Sequence, residues 1–349
     1  MIKLKPKILL FFMIVYPLVG VTQKLRTSIN GYGHMDCDVY VDDSVTSFLD
    51  IGEHDLFITS ALTNNISFLG EIVVKPLSSS PSGFGASIER ARLKFQYYKN
   101  HSLIIGKMHT PVSFWNDVYH HGRVFFPTID RPLSFSYFTP VHVVGIRFQG
   151  QNLGDLNFGY DVVLGNTTMS GQLTGGSTRP SITLAAHIKP KDQMRIGFGL
   201  FNEDYKDADL SGHNHSHGIN TVTEQISFNL ANFSFANFGN KLHVLDEFSM
   251  NITSMDSIGM AENFSNYIYI GVPIKERYIP FFGFDFLSVE VKDQLNREQF
   301  RIKYFVGYRH EFTPMLNVKA QVEYYYSDMT YMNRTNMKWE YKIQLAYGF

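Results

Sequence analysis

The stretch Met337-Lys-Trp-Glu-Tyr-Lys-Ile-Gln-Leu-Ala-Tyr-Gly-Phe349 decides how the rest of this chain is read. Trp339, Tyr341, Ile343, Leu345, Tyr347 and Phe349 fall on one parity, and Lys338, Glu340, Lys342, Gln344, Ala346 and Gly348 on the other. An alternation this strict is the period of a β-strand with one face in an apolar medium and the other in water. Aromatic rings stand at the two ends of the apolar row and aliphatic side chains in its middle, as they do where rings occupy both interfaces of a bilayer. Ten residue rises from Trp339 to Phe349 cover roughly 33 Å, or about 25 Å of vertical travel at a tilt near 40°, the height of the apolar band of a membrane barrel.

The opposite end is compatible with export. Lys3, Lys5 and Lys7 precede an apolar run from Ile8 to Val21 that is interrupted by Pro17. A basic start, a short apolar segment and then small residues describe a secretory signal peptide over residues 1–22, with cleavage before Gln23. The run is too short to span a bilayer as a helix. Removing the three lysines takes the formal charge from −1 to −4. The 349 residues are 44% hydrophobic and 15% aromatic, yet mean hydropathy is only −0.12. No second apolar run reaches helix-spanning length, which excludes an α-helical membrane protein. The single cysteine, Cys37, rules out an internal disulfide framework and falls in the outward phase of its strand. Neither the net charge nor any basic tract suggests a nucleic-acid partner.

Period-two segments recur along the chain near 29–41, 54–63, 65–75, 86–98, 101–108, 142–149, 154–164, 181–189, 194–202, 219–237, 241–253, 265–274, 278–291, 298–310, 316–327 and 337–349. In the first, Ile29, Met35, Cys37, Val39 and Val41 share one face, while Tyr32, His34, Asp36, Asp38 and Tyr40 share the other. The connections alternate short and long, the long ones lying near 42–53, 76–85, 109–141, 165–180, 203–218, 254–264 and 328–336. Sorting of this kind suits a transmembrane antiparallel β-barrel with tight turns at one rim and longer loops at the other. The expected fold is therefore all-β, a barrel of about sixteen strands with fourteen or eighteen as alternatives. It forms one domain over 23–349, at about twenty residues per strand and connection.

These features together resemble a porin of the Gram-negative outer membrane. Ile105, Gly106, Lys107, His109, Thr110, Pro111, Trp115 and Asn116 are most similar to the porin-like group related to phosphate-selective porins. The terminal Phe349 resembles the signal by which the barrel-assembly machinery recognises outer-membrane proteins. The resemblance implies a passive channel for small hydrophilic solutes or ions, embedded among outer-membrane lipids as a homotrimer, with no cofactor and no enzymatic activity. An outer-membrane barrel enzyme, a hydrophobic-solute transporter and an exported adhesin are the alternatives.

In such a barrel, function lies on lumen-facing side chains and on loops folded into the bore. The longest connection, His109 to Val141, carries Phe114, Trp115, Tyr119, Phe125, Phe126, Phe135, Tyr137 and Phe138. That many rings would be costly in water, so this loop is expected to pack against the inner wall and narrow the pore. Pro111, Pro127, Pro132 and Pro140 restrict it further. The constriction set is Trp115, Asn116, His120, His121, Arg123, Asp130 and Arg131. On the fourth strand, Arg90, Arg92 and Lys94 occupy successive inward positions and form a cationic ladder on the pore wall, which favours anions weakly. Facing lipid instead would cost roughly 2–4 kcal/mol for each charge at the midplane.

The sequence departs from two better-known patterns. It has no acidic, glycine-rich constriction segment and no repeated external lysines of a dedicated phosphate channel. His213, His215 and His217 alternate in the loop 203–218 near Asp204, Asp207 and Asp209. On an extended segment this spacing builds no preorganised metal site, so a solvated loop is expected. No G-x-S-x-G elbow, HExxH pair or phosphate-cradling glycine loop is present.

Overall fold

The computed structural model describes residues 26–41, 45–77, 83–119, 122–167, 179–205, 208–209, 221–222, 225–257, 259–275, 277–290, 292–293, 300–329 and 334–349. Sixteen strands form a closed antiparallel barrel. In chain order they are β1 (Arg26–Val41), β2 (Val45–Ala61), β3 (Ile66–Pro76), β4 (Phe84–Tyr98), β5 (His101–His109), β6 (His142–Leu153), β7 (Phe158–Thr167) and β8 (Ser181–Lys191). They continue as β9 (Met194–Tyr205), β10 (Ile226–Phe238), β11 (His243–Met255), β12 (Gly259–Gly271), β13 (Tyr278–Ser288), β14 (Phe300–Thr313), β15 (Leu316–Met329) and β16 (Arg334–Gly348). No described helix is long and apolar enough to cross a membrane.

Each strand pairs with its chain neighbours, and β16 returns to β1 in register from Tyr32 opposite Gly348 to Val41 opposite Trp339. The chain end extends this seam: the Phe349 N–H donates to Gly31 O at 2.9 Å, and the Gly31 N–H to Phe349 O at 3.0 Å. Closure leaves no strand edge whose backbone groups would go unpaired in hydrocarbon. The alternation of the last strand is realised as read. Trp339, Tyr341, Ile343 and Leu345 are exposed on the outside of the cylinder, while Glu340, Lys342, Gln344 and Ala346 are buried within it. Cys37 is likewise on the exposed side.

The rims differ from expectation in three places. The connection after β1 is residues 42–44 rather than 42–53, because β2 begins at Val45, in a run (Val45, Thr46, Phe48) whose side chains favour extended backbone. The turn before β12 is equally tight and ends on Gly259, whose φ of +72° suits glycine. The connection before β16 shortens to residues 330–333, since both flanking strands run on. The strand expected from residue 219 starts at Ile226, and a two-residue pairing of Ala208–Asp209 with Thr221–Val222 lies in the connection before it. His213, His215 and His217 lie outside the described residues.

Candidate functional site: the loop inside the barrel

The connection between β5 and β6 folds into the cylinder. Its neck is tied at once: the Thr110 N–H donates to Val141 O at 3.1 Å. The Asn116 side-chain amide donates to both Thr110 O and Val141 O at 2.9 Å. Beyond the neck the loop makes a π-helical turn at Trp115–Tyr119, a 3₁₀ turn at Arg123–Phe125 and a short helix, α1, at Leu133–Tyr137. Pro127 follows the 3₁₀ turn, and Pro132 and Pro140 flank α1, which keeps both short.

A loop of this length carries many backbone donors and acceptors that the interior must satisfy. Inward side chains of the far wall do so. Glu247 accepts from the N–H groups of Phe114 (2.8 Å) and Trp115 (3.2 Å). Asp285 accepts from Leu133 N–H at 2.8 Å, and the Gln321 carbonyl from Ile129 N–H at 3.0 Å. Arg309 donates to the carbonyls of Val124 and Phe126, Asn317 to Val124, and Lys319 to Arg123. These residues come from β11, β13, β14 and β15, so the wall groups that satisfy the loop's backbone lie on that side of the barrel.

Apolar packing follows the same side. Trp115, Phe126, Phe114 and Phe135 bury themselves against Leu245, Tyr267, Tyr269, Phe281 and Phe305 of the wall. Trp115 is fully enclosed, edge-on to Phe126 at 5.1 Å and to Tyr267 at 5.6 Å. A second cluster joins Val112, Leu133 and Phe138 to Phe201, Phe228, Leu230 and Leu287. The close fit is clearest at Gly199, where any Cβ would stand 2.2 Å from Val112 O.

The loop's charges meet opposite charges on the wall. Asp117 lies 2.7 Å from Arg195 and 3.4 Å from Arg147, and Arg147 also holds Asp161 at 2.7 Å. Asp130 lies 2.5 Å from Lys342 and 3.8 Å from Lys303. Arg131 lies 3.7 Å from Glu53 and stacks over Phe135. Burial pushes the Asp117 carboxyl up, but Arg195 and Arg147 outweigh it and hold the group below its ordinary range. Burial likewise opposes ionisation of Asp130, and Lys342 and Lys303 again reverse the direction. Burial, then the neighbouring Arg123 charge, lowers Arg131 to about 10.

The residues expected at the constriction therefore separate. Trp115 and Asn116 are buried anchors of the loop, not surfaces open to solute. Arg123 stands over the Phe126 ring and donates to Ile129 O, while Asp130 and Arg131 are held in the ion pairs above. His120 and His121 lie outside the described residues. On the opposite wall, Arg90 pairs with Glu71 and lies over the Phe57 ring. Arg92 and Lys94 have no ion-pair partner among the described residues; the nearby acids Glu71 and Asp161 are engaged by Arg90 and Arg147. They border a cavity of about 310 Å³ together with Arg26, Thr59, Ser67 and Leu69.

On the β10–β14 side the inner face is covered by the loop and carries rings such as Tyr267, Tyr269, Phe281 and Phe305 among its inward polar groups. Glu247 and Asp285 appear in sequence only as scattered inward acids. The available signal is lost alternation: Tyr267-Ile-Tyr-Ile-Gly-Val272 and Ile279-Pro-Phe-Phe282 are apolar at successive positions, the mark of strands covered on both faces.

No family model and no curated protein matches the chain. Solved structures do. An anion-selective porin from Comamonas acidovorans aligns with a TM-score of 0.68 at 8% identity, covering 93% of this chain and 100% of its own. The outer-membrane channel DcaP of Acinetobacter baumannii gives 0.64 at 12% identity, covering 94% and 99%. OmpT, an outer-membrane protein of Vibrio cholerae in its trimer form, gives 0.62 at 10% identity, covering 93% and 99%. At these identities the likeness is one of fold, shared over nearly the full length of each chain.

Proposed function

We propose that this protein is an outer-membrane channel for passive diffusion of small hydrophilic solutes or ions, with a weak preference for anions. The observation that carries this reading is the asymmetry of the bore. One side is filled by the stapled loop, whose Asp117 and Asp130 are already neutralised by wall cations. The other side retains Arg92 and Lys94 beside an open cavity, without ion-pair partners among the described residues. Cations lining a narrow aqueous path lower the energy of anions relative to cations. The loop residues Arg123, Asp130 and Arg131 then border the passage, with Trp115 and Asn116 fixing its position.

The neighbours support the same compartment, since they are porins and channels of Gram-negative outer membranes. Residues 1–22 would direct export, Phe349 would engage the barrel-assembly machinery, and three copies would associate as in the trimeric neighbour. The narrower resemblance, to the group related to phosphate-selective porins, rests on the stretch from Ile105 to Asn116 alone.

The test is conductance of the purified protein in a planar bilayer across a salt gradient. A stable open channel with an anion-favouring reversal potential is expected, moving toward cations when Arg92 and Lys94 are both replaced by Gln. A sealed barrel would overturn the channel, and an unchanged reversal potential would remove those two residues from the filter.

A further inference from the structure

Three side chains with metal-binding atoms meet at the root of the loop. His109 ends β5 and His142 begins β6, and the two are direct cross-strand partners. Their ring centroids lie 5.3 Å apart. Glu89 arrives from β4, where it is the extra residue of the bulge between Ile88 and Arg90. Its Oε1 lies 2.7 Å from His142 Nε2. One ligand atom from each residue lies within 4.8 Å of the other two. The site is nearly enclosed: His109 is 7% exposed, and the side chains of Glu89 and His142 are each 13% exposed.

The donor set and its framework both favour an ion. Two imidazoles and a carboxylate suit borderline transition ions, whereas Ca²⁺ and Mg²⁺ favour oxygen donors. The three residues come from three adjacent strands, so sheet register fixes their spacing before any ion arrives. A bulge adds nothing to closure of the barrel but re-aims a side chain, as bulges near functional sites do. Bonds of about 2.0–2.1 Å in tetrahedral geometry place ligand atoms roughly 3.3 Å apart. The Glu89–His142 separation of 2.7 Å lies below that value and the others lie within 4.8 Å, a spread that side-chain rotations can adjust to it. Arg131 also senses Glu89, and its Glu53 partner remains when an ion takes the carboxylate. A second grouping, Asp130, Glu323 and Glu340, differs in kind. Lys303 lies 3.3 Å from Glu323, and Lys342 lies within 3.2 Å of all three carboxylates. Those carboxylates are neutralised without a metal.

We infer that Glu89, His109 and His142 form a binding site for one divalent transition ion of the Zn²⁺ class. Because His109 and His142 bound the in-folded loop, the ion clamps its two ends together. A fourth coordination position remains for water or a passing anion.

Chelator-stripped, detergent-solubilised full-length protein should be titrated with Co²⁺ as the spectroscopic probe, then with Zn²⁺ in competition. One Co²⁺ per chain with imidazole ligation is expected, unchanged when His213, His215 and His217 are all replaced by Gln. Glu89→Gln and His142→Gln should each weaken binding by at least about tenfold, the loss typical even of residues that only support a ligand. Absence of Co²⁺ binding would overturn the site. So would binding that survives both substitutions, or that disappears with the three loop histidines. Heat-shifted mobility on gels shows that each variant is a folded barrel, and Glu89→Gln, which preserves side-chain shape, keeps the test decisive if His142→Gln fails to assemble.

Discussion

Glu247 shows how much a single side chain contributes here. One carboxylate oxygen receives the N–H groups of both Phe114 and Trp115, at a depth where no strand partner is on offer. Replacing it with Ala strands two buried donors, and each buried donor left unsatisfied costs about 1–3 kcal/mol. Glu247→Ala should therefore lower unfolding stability in detergent by about 2–4 kcal/mol, read from urea titration of Trp fluorescence, with a red shift as Trp115 becomes wetter. Gly199 sets the opposite limit. With Val112 O only 2.2 Å from where a Cβ would stand, Gly199→Val must push the first turn of the loop off the wall. Faster proteolysis within 110–141 at unchanged barrel stability is the expected outcome. At this scale the sequence is partly legible. Arg92 and Lys94 are found by parity, because a charge in lipid is prohibitive. Trp115 and Asn116 are located in the correct loop, but their role as anchors depends on Tyr267, Thr110 and Val141, partners that parity does not reveal.

The loop as an element is fastened by ion pairs whose pH dependence follows from their direction. Folding lowers the carboxyls of Asp117 and Asp130, their arginine and lysine partners overcoming the cost of burial. A carboxyl lowered on folding contributes its full stabilisation above its unfolded value of about 3.9, and loses it as pH falls through the lower folded value. The part of the fastening supplied by Asp117 and Asp130 should thus be constant between about pH 7 and 5 and weaken only below about pH 4. Single-channel noise of the parent compared with Asp117→Asn and Asp130→Asn over that range measures it, and a difference between them that changes near pH 6 would contradict the assignment. The strands as elements are legible wherever one face meets lipid and the other water, as in β16. Legibility fades in β12 and β13, where a buried loop makes the inner face apolar too. The short connection at 330–333 escapes a reading based on polarity, because β16 opens with Arg334, Thr335 and Asn336; at 42–44 the clue is present in Val45, Thr46 and Phe48.

For the whole molecule, closure and a count near sixteen follow from sequence, because each strand in lipid must find two neighbours and the terminal alternation fixes which face is outward; the structure sets the number at sixteen. The uneven filling of the bore does not follow, since it depends on side chains far apart in the chain, such as Ile129 with Gln321 and Arg123 with Lys319. Under the proposed channel function, Arg92 and Lys94 of β4 border the cavity that the loop leaves open, and the conductance experiment reads their charges. The seam between β1 and β16 bears on assembly. The first strand acquires its second partner only from residues more than 290 positions later, and ring closure over so long a separation is entropically slow. No cylinder can exist while the polypeptide is still emerging, so the chain must be kept from aggregating until its last segment is delivered.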